Sequence, residues 1–151
     1  MRFSTATISS ALTALTFLVP ANARIAGVAA PAVIAPGTPF VVQLLTENYI
    51  QTVYDVSAAF GLSPAPGYQG ALGTTIGSVY IGPGKSNILE PLNFTVSIDS
   101  DTIYGQKTLT AAVMSLYGVS SSPALTGFNV TVTVGKETST DYVQSSGSIV
   151  F

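Results

Sequence analysis

The chain has 151 residues, with five Lys and Arg against seven Asp and Glu, and it contains neither His nor Cys. So few and scattered positive charges cannot track a phosphate backbone, which argues against a nucleic-acid partner. Without His and Cys, the thiol nucleophile, the imidazole base and the usual transition-metal ligands are missing, and the fold has to be held by its core rather than by disulfides.

Taken in order, Arg2 precedes Ala6–Val19, an uncharged stretch of about 14 residues, shorter than the ~20 that span a bilayer. Pro20 and the triplet Ala21-Asn22-Ala23 follow. This is the pattern of a secretory signal peptide over residues 1–23, with cleavage after Ala23. The expectation is a secreted protein with no stable membrane insertion. The C-terminal SSGSIVF lacks the hydrophobic tail of a lipid-anchor signal. From Arg24 onward the chain is long enough for one domain that buries roughly two-thirds of its unfolded surface.

Seven strands are predicted in that domain, residues 24–134. Arg24–Ala30 is the first, followed by a proline-rich edge or turn at Pro31–Pro39. Phe40–Asn48 and Gln51–Phe60 come next, the latter with Asp55 expected on its solvent face. Gly61–Gly73 reads as a long Gly- and Pro-rich loop with Tyr68 near its middle. Such a loop is either a functional surface or a plain connection between sheets. Thr74–Ile81 is interrupted by Gly77, a candidate bulge. Leu92–Ile98 and Thr126–Val134 alternate cleanly between apolar and polar residues. Between them Thr108–Tyr117 is uncharged and free of Pro and Gly, as suits a central strand apolar on both faces. The fold class expected is all-β: a two-sheet antiparallel β-sandwich, immunoglobulin- or fibronectin-like in architecture and without disulfides. Residues 135–151, rich in Ser and Thr, are expected to form a flexible tail, with a short augmenting strand at Tyr142-Val143 or Ile149–Phe151 as the alternative.

Few motifs carry chemistry. Asn93-Phe-Thr95 and Asn129-Val-Thr131 are N-glycosylation sequons on outward strand positions. Gly82-Pro-Gly84-Lys85-Ser86 ends like a phosphate-binding loop, but Val79 stands where that motif needs its first glycine, so the segment reads as a turn. Asp99 and Asp101 are too few ligands for calcium and read as a polar corner. Tyr104 stands where a tyrosine corner would be. No catalytic residue, metal ligand or cofactor site is expected. Tyr68 and Tyr142 are the candidate partner-binding residues, and the protein reads as a non-enzyme. A small hydrolase using Asp99 and Asp101 is the enzymatic rival, and a structural or carbohydrate-binding wall protein is the binding rival.

Several short stretches carry a family resemblance. They are Arg24-Ile-Ala-Gly-Val-Ala-Ala-Pro31, Glu47-Asn-Tyr-Ile-Gln51, Ala59-Phe-Gly61 and Gly70-Ala-Leu-Gly73. Tyr80-Ile-Gly-Pro-Gly-Lys-Ser86, Ser115-Leu-Tyr-Gly118, Asn129-Val-Thr-Val-Thr-Val-Gly135 and Glu137-Thr-Ser-Thr-Asp-Tyr142 continue the series. Together and in this order they resemble the fungal necrosis-inducing secreted protein family, effectors of plant-associated fungi. The resemblance implies suppression of pattern-triggered immunity through binding and inhibition of host immune co-receptor and receptor-like cytoplasmic kinases, and an ability to cause plant cell death. It supplies no catalytic residues. A cysteine-free chain is also compatible with action in the host cytoplasm after uptake.

Overall fold

Period-two alternation is the strongest pattern in the chain, and it sets which side chains meet. The computed structural model describes residues 22–149 and 151; of the signal peptide read over residues 1–23, residues 1–21 lie outside them. The long strands are β1 (Ala23–Pro31), β3 (Phe40–Asn48), β4 (Val53–Pro64), β5 (Thr74–Tyr80), β6 (Leu92–Val96), β7 (Gly105–Tyr117) and β8 (Ser122–Val134). Three short ones, β2 (Val33–Ile34), β9 (Tyr142–Gln144) and β10 (Ser148–Ile149), complete the set, with a 3₁₀ turn at Pro83–Lys85. The smaller sheet has the order β6-β3-β1-β9 and the larger the order β10-β8-β7-β4-β5. The all-β, two-sheet expectation therefore holds. β7 lies inside the larger sheet, paired with β8 from Gly105 to Tyr117 and with β4 on its other side.

The two sheets bury their inner rows against each other. Val42 and Leu44 of β3, Phe94 of β6, Phe60 of β4, Val113 of β7 and Phe128 of β8 are all in the core. Phe60 and Phe94 bridge the layers, with ring centroids 6.0 Å apart. Each fully buried side chain of this size stabilises the fold by about 1.5–3 kcal/mol, which is how a sandwich without disulfides holds together.

The structure departs from the sequence reading at five places. First, Asp55 is buried, with 2% of its surface exposed, rather than facing solvent. A bulge between Asp55 and Ser57 inserts one residue, so the alternation changes phase and Asp55 turns inward while Tyr54 turns out. Second, the loop expected at Gly61–Gly73 begins only after Pro64, because Gly61–Pro64 continue β4 and pair with β7. Third, the proline-rich connection carries β2, which crosses to the larger sheet and pairs in parallel with Thr133 and Val134 of β8. Fourth, Tyr104 is exposed, and its hydroxyl bonds no backbone group among the described residues as a tyrosine corner would.

Fifth, the segment after Val134 is docked rather than trailing. β9 pairs with Ala29–Pro31 of β1, and β10 pairs with Gly127 and Phe128 of β8. The hydroxyls that read as disorder are what hold it. The Val28, Val33 and Ala35 amides donate to Ser145 Oγ, Ser139 Oγ and Thr138 Oγ1, each at 3.0 Å. A strand edge with open N–H groups needs acceptors, and a Ser/Thr-rich segment supplies them.

Candidate functional site

The outer face of the larger sheet is built by pairing register alone. Tyr80 of β5 lies opposite Ser57 of β4, Ser57 opposite Met114 of β7, and Met114 opposite Leu125 of β8. A second row joins Ser78, Ala59, Ala112 and Gly127. A third joins Tyr54, Leu116 and Pro123. None of these side chains is charged. Tyr80 is 67% and Leu125 54% exposed, and a shallow cleft of about 450 Å³ runs between Tyr80, Met114 and Leu125. The Tyr54 and Tyr80 hydroxyls are 3.0 Å apart, a hydrogen bond that raises the Tyr54 phenol above its ordinary range. Sequence reasoning missed this face. Its residues come from four strands, and only Tyr80 is conspicuous alone.

The other half of the same outer face is covered. The segment after β4 folds back over Gly61, where a Cβ would overlap Leu72. Ile149 and Phe151 likewise cover Gly127. Beneath the cover run two adjoining clefts of about 250 and 340 Å³ that share Pro66, Thr108 and Asn129. Tyr68, 60% exposed, stands on the lip of one, and Gln144 of β9 lines the other. Thr108 is 2% exposed, and its hydroxyl has no hydrogen-bond partner among the described residues.

The structure thus places the candidates as follows. Tyr68 and the β9 segment stand on two sides of one uncharged groove, with half-buried Asn129 at its base. Tyr142 is 39% exposed and donates its hydroxyl to the Val41 carbonyl at 3.2 Å, so it ties β9 across β1 to β3 within the small sheet. Asn93 is exposed on β6, at the far edge of that sheet. Asp99 accepts the Thr102 amide at 3.0 Å in a turn beside exposed Asp101. Among the described residues no three His, Cys, Asp or Glu side chains are grouped to hold a metal. Among them, too, no helix is long and apolar enough to cross a membrane.

A third cluster gathers residues from several of the short motifs. Arg24 bonds Glu47 at 2.7 Å and lies 4.8 Å from the Tyr49 ring centre, and Tyr49 meets Tyr117 edge-on at 5.8 Å. The hydrogen bond that Arg24 donates to the Glu47 carboxylate raises the guanidinium above its ordinary range. Next to Tyr117, Ser115 Oγ donates to Asp55 at 2.6 Å. Ser86 Oγ accepts the Asp55 amide at 2.9 Å, and the Gly82 amide donates to the Asp55 carbonyl at 3.0 Å. Burial pushes the Asp55 carboxyl up, and Ser115 offsets that in part. Burial also raises the Tyr117 phenol, with the Asp55 charge adding to it. The Gly82–Ser86 segment, read from sequence as a turn rather than a phosphate-binding loop, is therefore a clamp on the bulge in β4.

Comparison with known proteins settles the lineage. The model of the Nis1 family matches residues 21–133. The chain belongs to the Nis1 family. Necrosis-inducing secreted protein 1 of Colletotrichum higginsianum is 48% identical over 126 residues, covering 83% of this chain and 88% of that protein. The protein of the same name from Colletotrichum orbiculare is 41% identical over 139 residues, covering 91% and 86% respectively. This Nis1-family protein is secreted, as its relatives are named. The family match spans all seven long strands except the last residue of β8, and it stops before β9 and β10.

Proposed function

We propose that this protein is a secreted, necrosis-triggering effector that suppresses plant pattern-triggered immunity by binding host immune receptor-associated kinases and blocking their activity. It works by occupation, without catalysis. The partners are membrane-proximal co-receptor kinases and receptor-like cytoplasmic kinases, reached in the host cytoplasm after uptake. The relatives' name supports the necrosis-triggering part of the reading. The observation that carries binding is the uncharged outer face around Tyr80, Met114 and Leu125. Contiguous exposed apolar surface marks interaction sites, and interface cores are enriched in Tyr and Met and depleted of charge. Residues 24–151 used as bait against purified immune kinases test the reading. Retention of a kinase with loss of its activity is expected. No retention, with kinase activity undiminished, sinks it.

A second reading, carbohydrate binding at a cell wall, is favoured by the hydroxyl- and amide-lined groove under Tyr68. Co-sedimentation with chitin or β-glucan separates the two. A Tyr68→Ala variant that loses sedimentation assigns the binding to the groove.

A further inference from the structure

The two sequons are equivalent in sequence and opposite in structure. Asn93 and Thr95 are exposed on the same face of β6, the outermost strand of the small sheet, whose single strand partner among the described residues is β3. An oligosaccharide branching from Asn93 meets solvent at once. It lies on the opposite layer from the Tyr80–Leu125 face and leaves that face open. It would also cover an open strand edge, which a secreted β protein otherwise has to protect from pairing with other chains.

Asn129 sits inside the larger sheet, paired through Thr110 of β7. Pro66, Tyr68 and Ile149 wall the cleft above it, and Val143 and Gln144 flank it on the other side. A glycan on Asn129 would have to displace either the segment at Pro66–Gly70 or the C-terminal strands. The second of these costs the pairing of β10 with Gly127 and Phe128.

We infer that Asn93 is an N-glycan-bearing site of the native protein and that Asn129 keeps a free amide inside the groove. The co-reactant is a polyprenyl-diphosphate-linked oligosaccharide of the secretory compartment. Asn93 Nδ2 forms a bond to the sugar's anomeric carbon, and the bond from that carbon to the diphosphate oxygen breaks. The polyprenyl diphosphate leaves with the electron pair, and one amide proton passes to base. Because Asn93 keeps its strand position, modification adds to the surface without altering the core.

The experiment is secretion of the full chain from a yeast host, followed by enzymatic release of N-glycans in oxygen-18 water and peptide mass spectrometry. Label at Asn93, with Asn129 recovered as unlabelled Asn, is the expected result. On gels, Asn93→Gln should abolish the mobility shift on deglycosylation, and Asn129→Gln should leave it unchanged. Thr95→Ala removes the same sequon while keeping Asn93, and covers the case in which Asn93→Gln is not secreted. Label at Asn129 equal to that at Asn93, or an unlabelled Asn93 in secreted protein, overturns the inference.

Discussion

Ser115 of β7 donates its hydroxyl to the Asp55 carboxylate of β4 at 2.6 Å, on the inner side of a sheet whose core contacts are otherwise apolar. The pair exists because the bulge after Asp55 turns this acid inward opposite Ser115. Burial raises the Asp55 carboxyl, so the folded state holds its proton more tightly than the unfolded chain does. The sign follows from linkage. The contribution is fully present below the unfolded carboxyl value and is lost as pH rises through the folded one. Asp55→Asn keeps an acceptor for Ser115 and removes the titration. Thermal unfolding followed by circular dichroism should show the variant close to wild type in acid and increasingly more stable than wild type toward neutral pH. A difference that stays constant from about pH 3 to pH 7, across the carboxyl range, would refute the assignment.

Leu125 tests the docking face. It is more than half exposed, so Leu125→Asp should change folding stability by less than about 0.5 kcal/mol. A charge placed at the centre of an apolar interface should cost about 2 kcal/mol or more of binding, roughly thirtyfold in affinity. Kinase affinity measured alongside an unfolding curve separates the two effects. Wild-type affinity in a folded Leu125→Asp protein would move the partner site elsewhere.

The docked C-terminal segment should matter to stability. Val143 packs against the core, and Ile149 covers Gly127. Truncation after Thr140 removes both, along with the pairing of β9 and β10. A loss of about 2–4 kcal/mol in urea denaturation is expected from two partly buried aliphatic side chains and the uncovered strand edges. An unchanged midpoint would return this segment to the status of a free tail.

At Gly61 the covering segment lies directly against the backbone of β4. Gly61→Ala places a methyl group into Leu72, and overpacking of this kind costs about 1–3 kcal/mol. The segment at 65–73 should lift, so limited proteolysis should cut there sooner than in wild type. Equal cleavage rates would show that the cover is not seated on Gly61.

How much of this was legible in advance varies residue by residue. Phe94, Val96, Phe128, Val130 and Val132 announce their burial through alternation, because a strand between core and solvent has no other way to satisfy both faces. β7 announces itself as central because neither of its faces carries charge over Thr108–Tyr117. The lack of His and Cys and the two sequons are likewise properties of the chain itself.

Other features depended on partners far away in sequence. Asp55 looked like a solvent residue until a one-residue bulge, set by pairing with β7 and clamped by Ser86, reversed its direction. Residues 138–149 looked unstructured because their hydroxyls found acceptor roles only against the open edge of β1 and β2. Tyr80, Ser57, Met114 and Leu125 became one row, and Asn93 and Asn129 became unlike sites, through strand order and register. Local sequence determined which face of each strand is apolar, since that depends on successive side chains. Tertiary structure decided which strands lie side by side and what covers them, because those energies arise between residues that the chain brings together only on folding.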